Sequence, residues 1–148
     1  MSGVPILPPL AALVLFAVWG LLLVISIGMW RLAQVATQGK GPGDFPAGTP
    51  HGSDAYWRLN RAHLNVSENL PFFGVVVLAG VYLQVQDLAF QILPSVVLYA
   101  RVAQSLIHVA SGSRAAVTLR FICYLVQVLS ILVMAAVILQ SAGITTGW

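Results

Sequence analysis

Apolar residues run almost without interruption from Ile6 to Trp30, and further apolar runs follow at Leu70–Leu83, Leu88–Ala110 and Ala115–Gln140. With its flanking residues, each is long enough to cross a hydrocarbon layer of about 30 Å as a helix. Pro8 and Pro9 suit a first helical turn, where no amide donor is needed, so the first span is placed at about 8–36. The first run lacks a basic leader and exceeds the apolar stretch of a secretory signal, so a genuine span is expected. The segment QGKGPGDFPAGTPHGS is dense in Gly and Pro and has no periodicity, which makes 37–53 a long loop.

Helix 2 is expected over about 54–84, with Ser53 or Asp54 as its N-cap. Pro71 removes the bond to the Ser67 carbonyl, so a bend is expected just past Glu68. Helix 3 is placed at about 88–110, with Pro94 inside it, and helix 4 at about 115–140 after the break Ser111–Arg114. Gly74 and Gly80 would allow close helix packing, and Trp148 would anchor the tail at the interface. The fold class is all-α: an integral membrane protein with a four-transmembrane-helix bundle, forming one domain over 1–148.

Composition agrees with the pattern: 59% of the chain is hydrophobic and 7% charged, and the mean hydropathy is +0.91. A soluble domain carries about 25% charged residues, so this chain cannot cover itself for water. Seven basic residues scattered over it form no stripe for nucleic acid. Three histidines without ligand spacing point to no metal, and Cys123, the only cysteine, is expected to be a small buried hydrophobe. Arg31, Lys40, Arg58 and Arg61 flank the first loop; Arg101, Arg114 and Arg120 flank the third. By the positive-inside rule these loops face the cytoplasm, with both termini on the opposite side.

Polar residues gather at one depth. Arg58, Arg61, Asn65 and Glu68 follow each other at offsets of three, four and three along one helical stripe. Arg101, Gln104 and His108 share a face of helix 3, and Arg120, Tyr124 and Gln127 share one of helix 4. Measured at about 1.5 Å per residue, these sets and Arg31 all reach the inner boundary of the membrane. Taken singly, Arg31, Arg58 or Arg114 is accounted for by snorkelling to the headgroups. Glu68 is more informative, because a carboxylate there needs a partner; beside Arg61 it is expected to stay ionised. Such a layer suits a small zwitterionic ligand: arginines for carboxylates, Glu68 for an ammonium, Asn65 for an amide. An arginine beside a thiol would stabilise its thiolate, and the apolar walls would admit a lipophilic second substrate from the bilayer. His51, in the loop, is expected to be solvated.

The stretch RAHLNVSENLP closely resembles the helix-2 signature of the membrane-associated proteins in eicosanoid and glutathione metabolism, the MAPEG family. The resemblance implies a homotrimer that binds glutathione as co-substrate at subunit interfaces near the cytoplasmic side. It implies that Arg31 holds a glutathione carboxylate and that Arg61, Asn65 and Glu68 are the helix-2 ligands. His63 falls where some members use another polar contact. Arg120 resembles the helix-4 arginine that stabilises the thiolate, and Tyr124 matches a tyrosine of the prostaglandin synthase branch. Gln104 and His108 stand where the leukotriene synthase branch has tyrosines, and Phe121 replaces a serine of the prostaglandin synthase branch. Those departures point to a general or bacterial-type glutathione transferase, conjugating lipophilic electrophiles, reducing lipid hydroperoxides, or both. The alternative is a noncatalytic lipid-binding protein like the five-lipoxygenase-activating branch.

Overall fold

A computed structural model describes residues 6–46 and 48–143; Trp148 lies outside the described residues. Four helices follow one another: α1 (Pro9–Gln38), α2 (Asp54–Tyr82), α3 (Leu88–Ala110) and α4 (Arg114–Ser141). All four are long and apolar enough to cross a membrane, so the protein is integral and multi-pass. Local chemistry sets their ends. Pro9 opens α1, and its C-cap Gly39 takes the left-handed conformation at φ 64°. Ser53, Asp87 and Ser113 cap α2, α3 and α4 by accepting from Tyr56, Ala89 and Ala116 amides. The helix α2 stops at Tyr82 because Gln84 turns left-handed (φ 53°), while Val85 and Gln84 amides bond the Gly80 and Val81 carbonyls. It runs on through Pro71 without a break.

Helix α3 is central: it packs on α1, α2 and α4, α2 does the same, and α1 does not pack against α4. The core lies where the helices meet, around Phe16, Phe73, Val77, Phe90 and Met134, with the Phe16 and Phe73 rings 5.0 Å apart. Gly80 is required there, since a Cβ would overlap the Phe90 ring. Gly74 is not: a Cβ would reach Leu13 only at an ordinary 3.9 Å, whereas Gly20, near Val66, is the tighter spot at 3.1 Å. At the end of the bundle where α1 begins, Ser95 Oγ accepts from the Leu7 amide at 2.8 Å and ties the pre-helix segment to α3. The outward faces of α1 and α4 remain broadly apolar and exposed, as lipid or another protein surface requires.

Candidate functional site

The loop after α1 is folded onto the end of α1 and the start of α2, because its aromatic residues find partners there. Trp30 stacks on Tyr56 at 3.6 Å, and Phe45 and His51 close around them edge-on. Lys40 lies over the Trp30 ring and bonds Gln34 Oε1 at 3.1 Å. His51 is therefore half-buried, not solvated; its Nδ1 donates to the Thr49 carbonyl at 2.9 Å. Arg31 Nε donates to the Tyr56 hydroxyl at 2.8 Å, and its guanidinium sits 5.6 Å from the Phe45 ring centre. Arg31 and His51 wall a cleft of about 290 Å³ together with Trp57, Asn60, Arg61 and His63.

A second group forms on the other flank, where α2, α3 and α4 meet. The His108 ring lies within electrostatic reach of Arg120, Arg61 and Arg58, and Arg101 within reach of Glu68 and Tyr124. Asn65, His108 and Arg120 are half-buried; Arg61, Glu68 and Tyr124 are exposed. The side chains of Arg61, Asn65, Glu68, His108, Arg120 and Tyr124 make no hydrogen bond or ion pair among the described residues. The expected Arg61–Glu68 pairing is thus not formed: seven residues separate the two by about 10 Å along the axis. Beyond Tyr124 an apolar groove of about 260 Å³ runs along α2 and α4, lined by Asn69, Phe72, Val128 and Ile131.

Other polar residues are used within the bundle. Gln104, expected to face a ligand, is only 7% exposed. Its Nε2 donates to the Arg120 carbonyl at 3.0 Å and its Oε1 accepts from Gln127 at 3.1 Å, so both ends of the amide tie α3 to α4. Arg58 Nε donates to the Val109 carbonyl at 3.1 Å, closing the end of α3. His63 stands 3.4 Å from Ser67 Oγ, one turn along α2. Cys123 is half-buried. Tyr56, which positions Arg31, carries no signal in the sequence spacing, because its partners lie on another helix and in the loop.

The site residues therefore form two sets: Arg31 and His63 beside the cleft, and Glu68, His108, Arg120 and Tyr124 on the far flank, with Arg61 belonging to both and Asn65 one turn beyond it on α2. The model of the MAPEG family matches residues 9–140, four helices and both sets included. The chain belongs to the MAPEG family. MAPEG proteins include microsomal glutathione transferases, a leukotriene synthase and the five-lipoxygenase-activating protein, are mostly glutathione-dependent enzymes, and form trimers. Among curated proteins none matches this MAPEG chain.

Proposed function

We propose that this protein is a membrane-bound glutathione transferase that binds glutathione from the cytoplasmic side and activates it as the thiolate. The observation that carries the reading is the row of polar side chains without partners among the described residues, near one end of the spans, on the motif-bearing helix and its neighbours. Protein-internal polar groups at that depth normally find partners; here the exposed Arg61 and half-buried Arg120 guanidiniums, a carboxylate and an amide are left for a ligand. Glutathione offers the complement: two carboxylates for arginines, an ammonium for Glu68, a peptide amide for Asn65. Arg120 then faces the sulfur and holds it as thiolate, the thiol proton having passed to water; the thiolate attacks the electrophilic carbon while the leaving group departs with its electron pair. The lipophilic partner enters along the apolar groove beside Tyr124.

Arg31 and Arg120 sit on the two helices that do not pack against each other. A ligand gripped by both is best served by two copies, Arg31 and His63 from one and Arg120 from the next. A homotrimer, closed by the apolar outer faces of α1 and α4, supplies three such sites.

The test is a titration of purified protein with glutathione, following thiolate absorbance and thermal stability, alongside conjugation assays with lipophilic electrophiles. Thiolate formation and glutathione-dependent conjugation are expected. Binding of lipid without either would instead assign the protein to the noncatalytic branch.

A further inference from the structure

Arg101 has no part in the chemistry above, yet it is the largest fully buried side chain, 1% exposed. Its Nε and Nη2 are enclosed and hydrogen-bond no group among the described residues. The guanidinium lies over the Phe16 ring of α1, its carbon 5.7 Å from the ring centre. A guanidinium keeps its charge in a protein. The Phe16 face offsets part of the cost of enclosing it but offers no lone pair to the N–H donors. A buried arginine of this kind is strongly unfavourable without an anion beside it.

The chain itself does not bring that anion into contact. Its four acidic residues, Asp44, Asp54, Glu68 and Asp87, are all exposed, and the enclosed nitrogens of Arg101 hydrogen-bond none of them. A second enclosed donor stands on the same seam between α1 and α3. Trp19 follows Phe16 by one turn of α1, and its Nε1 is buried without a hydrogen-bond partner among the described residues. Trp19 lines a groove of about 280 Å³ together with Leu98 and Val102. Those two residues bracket Arg101 in α3, so the indole stands at the level of Arg101. The seam therefore gathers three N–H donors that find no acceptor. The buried acceptor Gln127 Oε1 belongs to the other seam of α3, where the Gln127 amide nitrogen bonds Gln104.

We propose that Arg101 and Trp19 bind a small monovalent anion, a halide, between α1 and α3. Arg101 Nε and Nη2 and the Trp19 indole N–H donate to it, and its charge neutralises the guanidinium. Glutathione, or a side chain of a neighbouring copy, cannot reach an arginine so fully enclosed, which restricts the occupant to a small ion. A halide only accepts and demands no fixed direction. Phosphate or sulfate would carry further oxygens into the apolar seam and leave them unpaired. With the anion in place the charge of α3 can sit among apolar side chains at the centre of the bundle. The site does not depend on the glutathione reading above.

The experiment follows thermal unfolding of the full chain, purified in detergent, in sodium chloride, bromide and gluconate at equal ionic strength; gluconate is too large to enter. Chloride and bromide should raise the melting temperature over gluconate by about 5 °C, saturably with concentration. Arg101→Met and Arg101→Gln should abolish that difference whatever their overall stability, and Trp19→Phe should move its midpoint to about tenfold higher halide concentration. Bromide should also quench part of the tryptophan fluorescence of the unmodified chain, with the same midpoint, and Trp19→Phe should lack that part. This second readout needs no Arg101 variant to fold. Equal melting temperatures in halide and gluconate, as a bridging water in place of the anion would give, overturn the inference. So does a halide effect that persists in the Arg101 variants, or bromide quenching that Trp19→Phe leaves unchanged. Neither readout involves glutathione, so failure here leaves the transferase reading standing.

Discussion

Removing the Tyr56 hydroxyl isolates the contact that aims Arg31. Tyr56 is 2% exposed, and its ring stacks on Trp30 at 3.6 Å; Tyr56→Phe keeps that stack and deletes only the acceptor for Arg31 Nε at 2.8 Å. A hydrogen bond to a charged group contributes about 1.5–3 kcal/mol, and the half-exposed guanidinium places this one at the low end. A loss of about 1.5 kcal/mol corresponds to a fall in melting temperature of roughly 5 °C for a chain of this size. The ligand consequence is separate. Arg31 freed from Tyr56 regains rotamer freedom that glutathione must then remove, on the order of 1 kcal/mol, or about fivefold in affinity. Thermal unfolding in detergent and calorimetric titration of the same preparations measure both. A Tyr56→Phe protein as stable as the parent and with the same glutathione affinity would refute the reasoning, since the hydroxyl would then be holding nothing that matters.

Arg120→Ala should lower the conjugation rate at saturating substrate about a hundredfold while changing glutathione affinity much less, as expected for a group acting on the reacting sulfur; steady-state kinetics separate the two. Gly80→Ala should destabilise by about 1–3 kcal/mol because its Cβ would overlap the Phe90 ring, and adding Phe90→Leu should recover part of that in the same unfolding assay. Gln84→Gly should stabilise by about 0.5 kcal/mol, since Gln84 holds φ 53° at a cost glycine avoids. Gln104→Leu and Gln127→Leu should each weaken the bundle by about 1 kcal/mol, and the double variant by less than their sum, because the two amides are bonded to each other.

The four helices were legible because hydrocarbon imposes a length and a composition that a single chain displays openly. The starts of α2, α3 and α4 were written in local chemistry too: Ser53, Asp87 and Ser113 are capping residues immediately before apolar runs. What the spacing could not convey is which polar residues look inward. Gln104 and His108 share one face of α3, yet the first is used by α4 and the second has no hydrogen-bond partner among the described residues; only the position of the neighbouring helix separates them. The fate of Arg101 depends likewise on α1, which brings Phe16 under the guanidinium. The loop was misjudged as solvated at His51 because its aromatic partners, Phe45, Tyr56 and Trp57, act across the fold.

The division of labour among the helices follows from the solvent. Lipid tails give apolar helices no incentive to leave them, so a bundle in the membrane must be held by close packing and by polar ties. Helix α3 carries most of those ties: Ser95 to the pre-helix segment, Gln104 to α4, and the α3 carbonyl of Val109 to Arg58. Polar groups spent this way are lost to ligands. That leaves the flanks, where helices have fewer neighbours, as the place where unspent donors can survive: Arg120 stands on one, and on the other Arg31 spends its Nε on Tyr56. Because α1 and α4 do not meet within one chain, a ligand that needs both arginines requires their outer faces to come together from different copies. The same apolar exposure that suits lipid then also suits a neighbouring subunit. Ligand binding and assembly would accordingly draw on one surface, with the charged ends of the helices supplying charge and the remainder supplying contact.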